Sequence, residues 1–192
     1  SKDVMQTTYD MAMLQRNSMT IEDAVKQVSK VIFALKSFAH RAQDDEKVQA
    51  DVIQGLENVL TIYKNYLKHD VDLVRRYGEN IPQVACYPDA LQQVWTNLIH
   101  NALQAMAYHG QLQEAGVLED GRLVVRIIDN GPGIPAEVQP KIWDAFFTTK
   151  GTGEGSGLGL HICKDIVERH GGTIGFESRP GQTVFSVSIP TT

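Results

Sequence analysis

Leu123-Val124-Val125-Arg126-Ile127-Ile128-Asp129-Asn130-Gly131-Pro132-Gly133-Ile134-Pro135 is the stretch from which the rest of the chain is read. Its first half alternates as a strand does, and its second half turns the backbone on glycine and proline, so Asp129 arrives at the edge of a sheet. A carboxylate there accepts a hydrogen bond from an exocyclic amino group, and Gly131 and Gly133 have no Cβ to hold off a flat base. That makes a seat for adenine. The same run is also good turn chemistry in a protein that binds nothing. The neighbouring stretches decide between the two.

Upstream, a helix is expected from position 89 to about 108, burying Leu91, Trp95, Leu98 and Ala102. Gln93, Asn97, Asn101 and Gln104 are spaced four, four and three, so their amides form one stripe. A solvated face would be rich in lysine and glutamate, whereas amide oxygens suit a hydrated magnesium ion and its phosphates because they coordinate without adding charge. A hairpin about 119–121 then leads into the strand that delivers Asp129.

Downstream, a short helix over 136–142 and the aromatic run Trp143-Asp144-Ala145-Phe146-Phe147 read as an anchor packed on the core. Glycine then falls at 151, 153, 155, 157 and 159, just before an amphipathic helix carrying Leu160, Ile162, Ile166 and Val167. Glycine-rich backbone entering a helix N-terminus offers free N–H groups and a positive dipole end to an anion. The pattern fits neither a Walker loop nor a Rossmann turn. A mobile lid over phosphates, with Lys150 adding a point charge, fits better, and a merely flexible loop is the alternative. The chain closes with strands over 174–178 and 182–189 about the turn Arg179-Pro180-Gly181. Thr183 lies in that hairpin, either as a hydrogen-bonding group near Asp129 or as a β-branched strand residue.

The first half is organised differently. Residues 3–16 have a modest helical pattern, and Ile21, Val25, Val28, Ile32, Leu35 and Ala39 recur at the period of a coiled-coil seam. Residues 1–46 are therefore expected to be a helical hairpin that dimerises, with the main domain over 47–192. His40, near the end of that hairpin, reads either as a phosphate acceptor or as an amphipathic residue of a last helical turn; no carboxylate stands beside it to orient the ring. A short strand over 48–52, a helix capped by Asp51 that carries Ile53 to Leu67 and ends at Lys68-His69, and strands over 71–77 and 84–86 follow.

A chain of 192 residues has room for one substantial domain and an accessory element. The net charge of −5 gives no basic footprint for nucleic acid, so phosphates must be held by local donors. Cys86 and Cys163 lack metal-ligand spacing and read as free thiols in a reducing cytosol. No run is long enough for a membrane span. The opening Ser1-Lys2, without methionine, suggests a cytoplasmic fragment, any membrane attachment lying in regions outside it.

Four stretches in fixed order now resemble one family, the sensor histidine kinases. Asn97-Leu98-Ile99-His100-Asn101-Ala102 looks like their N box, residues 129–135 like the first glycine box, 143–147 like the F box, and Gly155-Ser156-Gly157-Leu158-Gly159-Leu160 like the second glycine box. Ser178-Arg179-Pro180-Gly181-Gln182-Thr183 is also similar to theirs. The resemblance implies an α/β fold, a two-layer sandwich of the Bergerat type in which a mixed sheet backs three helices, shared with type II topoisomerases, Hsp90 and MutL.

Carried over by position, the resemblance implies ATP and magnesium as cofactors. Asn101 would be the metal ligand, Asp129 the adenine acceptor with Thr183 nearby, and Gly131 and Gly133 the lining of the base. Gly155, Gly157, Leu158 and Gly159 would form the phosphate lid, with Lys150 beside them. Asn97 stands where the related ATPases carry a glutamate that activates water. An amide cannot take a proton there, so transfer to a better nucleophile, a histidine, is favoured over hydrolysis. The implied partners are a response-regulator receiver domain and a second copy of the chain, joined through the helical hairpin. No histidine here has the sequence context of the family's acceptor, which is expected upstream of Ser1. Other readings are a serine kinase or ATPase of the same superfamily, or a nucleotide-regulated scaffold without kinase activity.

Overall fold

The computed structural model describes residues 46–67, 70–151 and 155–191. The expected helical hairpin and His40 lie outside the described residues, as do Lys68, His69 and Gly153. Residues 46–147 and 157–191 belong to one unit, and 148–151 and 155–156 to another.

In chain order the first unit contains β1 (Val48–Ala50), α1 (Val52–Ile62), the single turn α2 (Lys64–Leu67), β2 (Val71–Tyr77), β3 (Val84–Cys86), α3 (Pro88–Ala105), β4 (Gly110–Glu119), β5 (Arg122–Asp129), a 3₁₀ turn (Gln139–Lys141), α4 (Gly159–Arg169), β6 (Thr173–Arg179) and β7 (Gln182–Pro190). Five strands form a mixed sheet in the order β2-β4-β5-β7-β6, in which only β2 and β4 run parallel. A parallel pair needs a crossover, and α3 supplies it. The β4–β5 hairpin closes on Asp120 and Gly121, both at positive φ, the geometry whose twist matches the strands it joins. β1 and β3 make a separate two-stranded ribbon.

Period two in the strands explains the single core. β7 buries Thr183, Phe185, Val187 and Ile189 and leaves the residues between them partly exposed. Against that face lie α1, α3 and α4, whose apolar stripes include Leu56 and Val59, Leu91, Trp95 and Leu98, and Ile162 and Val167. The α/β sandwich expected from the sequence is therefore the observed fold. No helix among the described residues is long and apolar enough to cross a membrane.

Several expected elements differ. The strand at 48 ends at Ala50, and Asp51 caps α1 through the Gln54 N–H. The helix drawn through 67 breaks at Tyr63, whose N–H reaches back to Leu60 in a tightened last turn. α3 stops at Ala105 instead of 108, because Ala107 and Tyr108 take positive φ and Tyr108 N–H bonds to Leu103 O. With no glycine to mark the end, Met106 extended the apolar period past it. The helix over 136–142 is only the 3₁₀ turn, opened by Pro140 and Pro135 near it. The aromatic anchor is Trp143, packed edge-on against Phe176 and Phe185; Phe146 is exposed.

Candidate functional site

Asp129 ends β5 with a buried carboxylate. Burial pushes its carboxyl above the usual range, and the Gly131 N–H, donating to Oδ1 at 3.0 Å, pulls the other way. That N–H is its one donor among the described residues, so the second oxygen can accept from a ligand. Asn130 faces the other way and completes the edge of β4, with Gln111 N–H donating to its Oδ1 at 2.8 Å. The sequence reading assigned Asn130 no role.

The glycine loop is held on three sides. Gly131 lies so close to the end of α3 that a Cβ there would stand 3.3 Å from the Ala105 carbonyl. Gly133, at φ +86°, lies against the Arg179 carbonyl, with which a Cβ would collide. Ile134 N–H donates to Ser178 Oγ at 2.7 Å, and Gln139 Nε2 donates to the Ile134 carbonyl at 2.8 Å. The two glycines are thus required first by backbone packing, a reason the sequence reading did not contain.

Asp129 and Thr183 are register partners on β5 and β7, and Thr183 in turn pairs with Ser178 on β6. Partners share a face, so these three side chains form a row across the sheet. Thr183 is buried, and its Oγ1 lies 3.0 Å from Ser178 Oγ. Ser178 carried no role in the sequence reading, although the two-residue turn about Pro180 and Gly181 already fixes it opposite Thr183.

In the middle of α3, Asn97 Nδ2 donates to the Gly159 carbonyl at 3.2 Å. The amide nitrogen is spent on α4, and the oxygen takes no donor from a described residue. Asn97, Asn101 and the flanking Gln93 and Gln104 are all partly exposed on α3, as the stripe requires. From the Ala105 contact to Asn97 is eight residues, about 12 Å of helix. That spacing suits a ligand with a base at one end and a polyanion at the other. Mg2+ suits amide oxygens such as these.

Gly157, at φ +68°, lies against the Phe146 backbone, Leu158 is buried, and Gly159 opens α4. His161 Nδ1 donates to the Trp143 carbonyl at 3.2 Å, tying α4 to the aromatic anchor. In the second unit, Lys150 N–H donates to Thr148 Oγ1 at 3.2 Å, and a Cβ on Gly155 would lie 3.2 Å from Lys150 Cδ. The structure therefore brings Asp129, Thr183, Gly131 and Gly133 together, Asn97 together with Gly159, and Lys150 together with Gly155.

Buried His170 belongs to the scaffold. Its Nδ1 donates to Ile166 O at 2.7 Å and its Nε2 accepts from Tyr87 N–H at 3.0 Å, which fixes a neutral ring joining the end of α4 to the start of α3. Burial lowers its pKa accordingly.

Residues 86–192 match the family model described as histidine kinase-, DNA gyrase B-, and HSP90-like ATPase. The sensory histidine kinase/phosphatase NtrB of Escherichia coli O157:H7 is 36% identical over 157 residues, covering 75% of this chain and 44% of that protein. NtrB of Azospirillum brasilense is 36% identical over 177 residues, covering 83% and 44%. The chain thus spans less than half the length of these curated relatives. Among solved structures, the catalytic domain of histidine kinase ThkA superposes with a TM-score of 0.70 at 31% identity, covering 77% of this chain and 97% of that one. Histidine kinase ThkA in complex with the response regulator TrrA gives 0.69 at 26% identity, covering 86% and 48%. The chain belongs to the histidine kinase-, DNA gyrase B- and HSP90-like ATPase family, and carries an ATP-binding domain of the histidine kinase type.

Proposed function

We propose that this chain is the catalytic region of a two-component sensor histidine kinase, which transfers the γ-phosphoryl group of ATP to a histidine for relay to an aspartate of a response-regulator receiver domain. The observation that carries the reading is the buried Asp129, with one donor among the described residues, at the head of a glycine loop fixed beside Thr183. Asp129 accepts the adenine amino group, Thr183 assists it, and the tightly packed loop through Gly131 and Gly133 lines the base. Asn101 and the free oxygen of Asn97 hold Mg2+, which neutralises phosphate charge when bound. Gly157, Leu158 and Gly159 present backbone at the N-terminus of α4 to the phosphates, and on the resemblance alone Gly155 and Lys150 join them.

Asn97 has no basic site for a water proton, and it is tied to Gly159. The site therefore orients the nucleotide without activating water, and a neutral imidazole needs little base assistance. As the N–P bond forms, the bond to the bridging oxygen breaks and ADP leaves with the electron pair, and the phospho-imidazolium so formed gives its ring proton to solvent water. Dimerisation through residues 1–46 and a cytoplasmic location belong to the same reading.

The test is incubation with γ-labelled ATP and magnesium, with and without a helical segment from an NtrB relative that bears its acceptor histidine. An acid-labile, alkali-stable label on the added segment is expected. Label on this chain alone would assign the acceptor to His40, and no label despite ATP binding would favour a nucleotide-regulated scaffold.

A further inference from the structure

We propose that Ser178 is a positioning residue for base recognition: fixed by the Ile134 N–H, its hydroxyl orients Thr183 beside Asp129 so that the pair reads a 6-aminopurine. The inference rests on the nucleotide-binding reading above and adds to it the residue that sets the polarity of the site.

Asp129, Thr183 and Ser178 occupy one row on β5, β7 and β6. A buried hydroxyl needs a partner, and among the described residues Thr183 has Ser178 alone. A serine has one proton and two lone pairs. The Ile134 N–H takes one lone pair at 2.7 Å, and a backbone donor cannot reverse its direction. Ile134 is itself held by Gln139 at its carbonyl, and the adjacent Gly133 is wedged against the Arg179 carbonyl. The Ser178 oxygen is therefore anchored, with its proton and one lone pair still free to face Thr183 Oγ1 at 3.0 Å; either hydroxyl can donate there, and in the proposed arrangement Ser178 is the donor.

Once Ser178 donates, the Thr183 proton is released to donate in its turn. Asp129 then offers an acceptor and Thr183 a donor, side by side. A 6-aminopurine presents the complement, an amino group next to a ring nitrogen that carries a lone pair. A 6-oxopurine presents an oxygen next to a ring N–H, which reverses both. Without Ser178, the Thr183 hydroxyl loses its fixed direction and the discrimination weakens.

The experiment is calorimetric titration of the full chain with ADP and with inosine diphosphate, for the wild type, Ser178→Ala, Ser178→Thr, Thr183→Val and the Ser178→Ala/Thr183→Val double variant. Ser178→Ala is expected to lose about tenfold in ADP affinity and much less for inosine diphosphate, the scale of one hydrogen bond in a buried site. Ser178→Thr keeps the preference, and the double variant binds ADP no more weakly than Thr183→Val. Should Ser178→Ala not fold, Ser178→Cys, whose thiol donates weakly, takes its place with the same expected loss of preference. Equal losses for both diphosphates, additive losses in the double variant, or full ADP affinity in Ser178→Ala would overturn the assignment while leaving the nucleotide site standing. A wild type that fails to bind ADP would overturn both.

Discussion

The Asn97 side-chain nitrogen donates to the Gly159 carbonyl across 3.2 Å and so joins the middle of α3 to the first turn of α4. The two residues were read from separate motifs, and the structure makes them one contact. Asn97→Asp would put an oxygen against an oxygen. A loss of about 1–3 kcal/mol at neutral pH is expected, the cost of a broken hydrogen bond with an unsatisfied partner. Urea denaturation checks it, and the deficit relative to wild type should shrink in acid, where the introduced carboxyl becomes a donor again.

Asp129→Asn separates binding from stability. The amide oxygen can still accept from Gly131 N–H, but the amide nitrogen, a donor, then replaces the second oxygen facing the base amino group, so ADP affinity falls by more than about tenfold. Burial raises the Asp129 carboxyl above its ordinary pKa of 3.8, so the folded chain keeps this proton to higher pH than the unfolded chain does. Its contribution to stability is full below that value and is lost as pH rises through the folded pKa. The asparagine variant escapes that loss and should be no less stable than wild type at pH 7. Wild-type ADP affinity should decline as pH falls through the raised pKa. Unchanged ADP binding in the variant would sink the adenine assignment.

Away from that site, Glu114 lies fully buried on β4, 3.0 Å from the Tyr77 hydroxyl. Tyr77 also bonds Glu57 at 2.8 Å, and Glu57 pairs with Arg75 at 2.7 Å. One phenol proton cannot serve two carboxylates. Burial opposes the Glu57 charge, but hydrogen bonds from Arg75 and Tyr77 outweigh it and hold that carboxyl below its usual range. Burial pushes Glu114 up to about 8. Glu114 therefore donates its proton to Tyr77, and Tyr77 donates to Glu57. Against an ordinary glutamate pKa of 4.5, this stabilisation is full at low pH and is lost between about 4.5 and about 8. The largest slope from one such group is about 1.4 kcal/mol per pH unit. Glu114→Gln should flatten the profile in that window and leave the variant the more stable at pH 8, as urea titrations at pH 5, 7 and 8 would read. An unchanged slope would show that Glu114 does not carry the proton.

Period and spacing made the sheet and the α3 stripe legible, because both are repeated along the chain. β2 and β3 were readable to the residue, each bounded by turn chemistry. Contacts between distant segments were not. Nothing near Ser178 announces that Ile134 donates to it, and Gly133 reads as room for a base until the Arg179 carbonyl is seen behind it. Phe146 was legible as apolar but not as exposed, since its positive φ turns it off the path of Trp143.

Gly133 allows a graded test of that packing. A Cβ there meets the Arg179 carbonyl and sits on a backbone at φ +86°, so Gly133→Ala suffers both steric overlap and left-handed strain. Gly175 on β6 has no atom of the described residues within 4 Å of the same added methyl and no positive φ. Gly133→Ala is expected to lose about 2–3 kcal/mol, and Gly175→Ala to stay within about 0.5 kcal/mol of wild type. The loss at position 133 should also reach the ligand, because the displaced residue precedes Ile134 and its bond to Ser178. Denaturation of both variants, followed by ADP titration, measures each part. If Gly133→Ala matched Gly175→Ala in stability, the loop would not be clamped on the β6–β7 turn, and if it lost stability but bound ADP normally, the clamp would be structural alone.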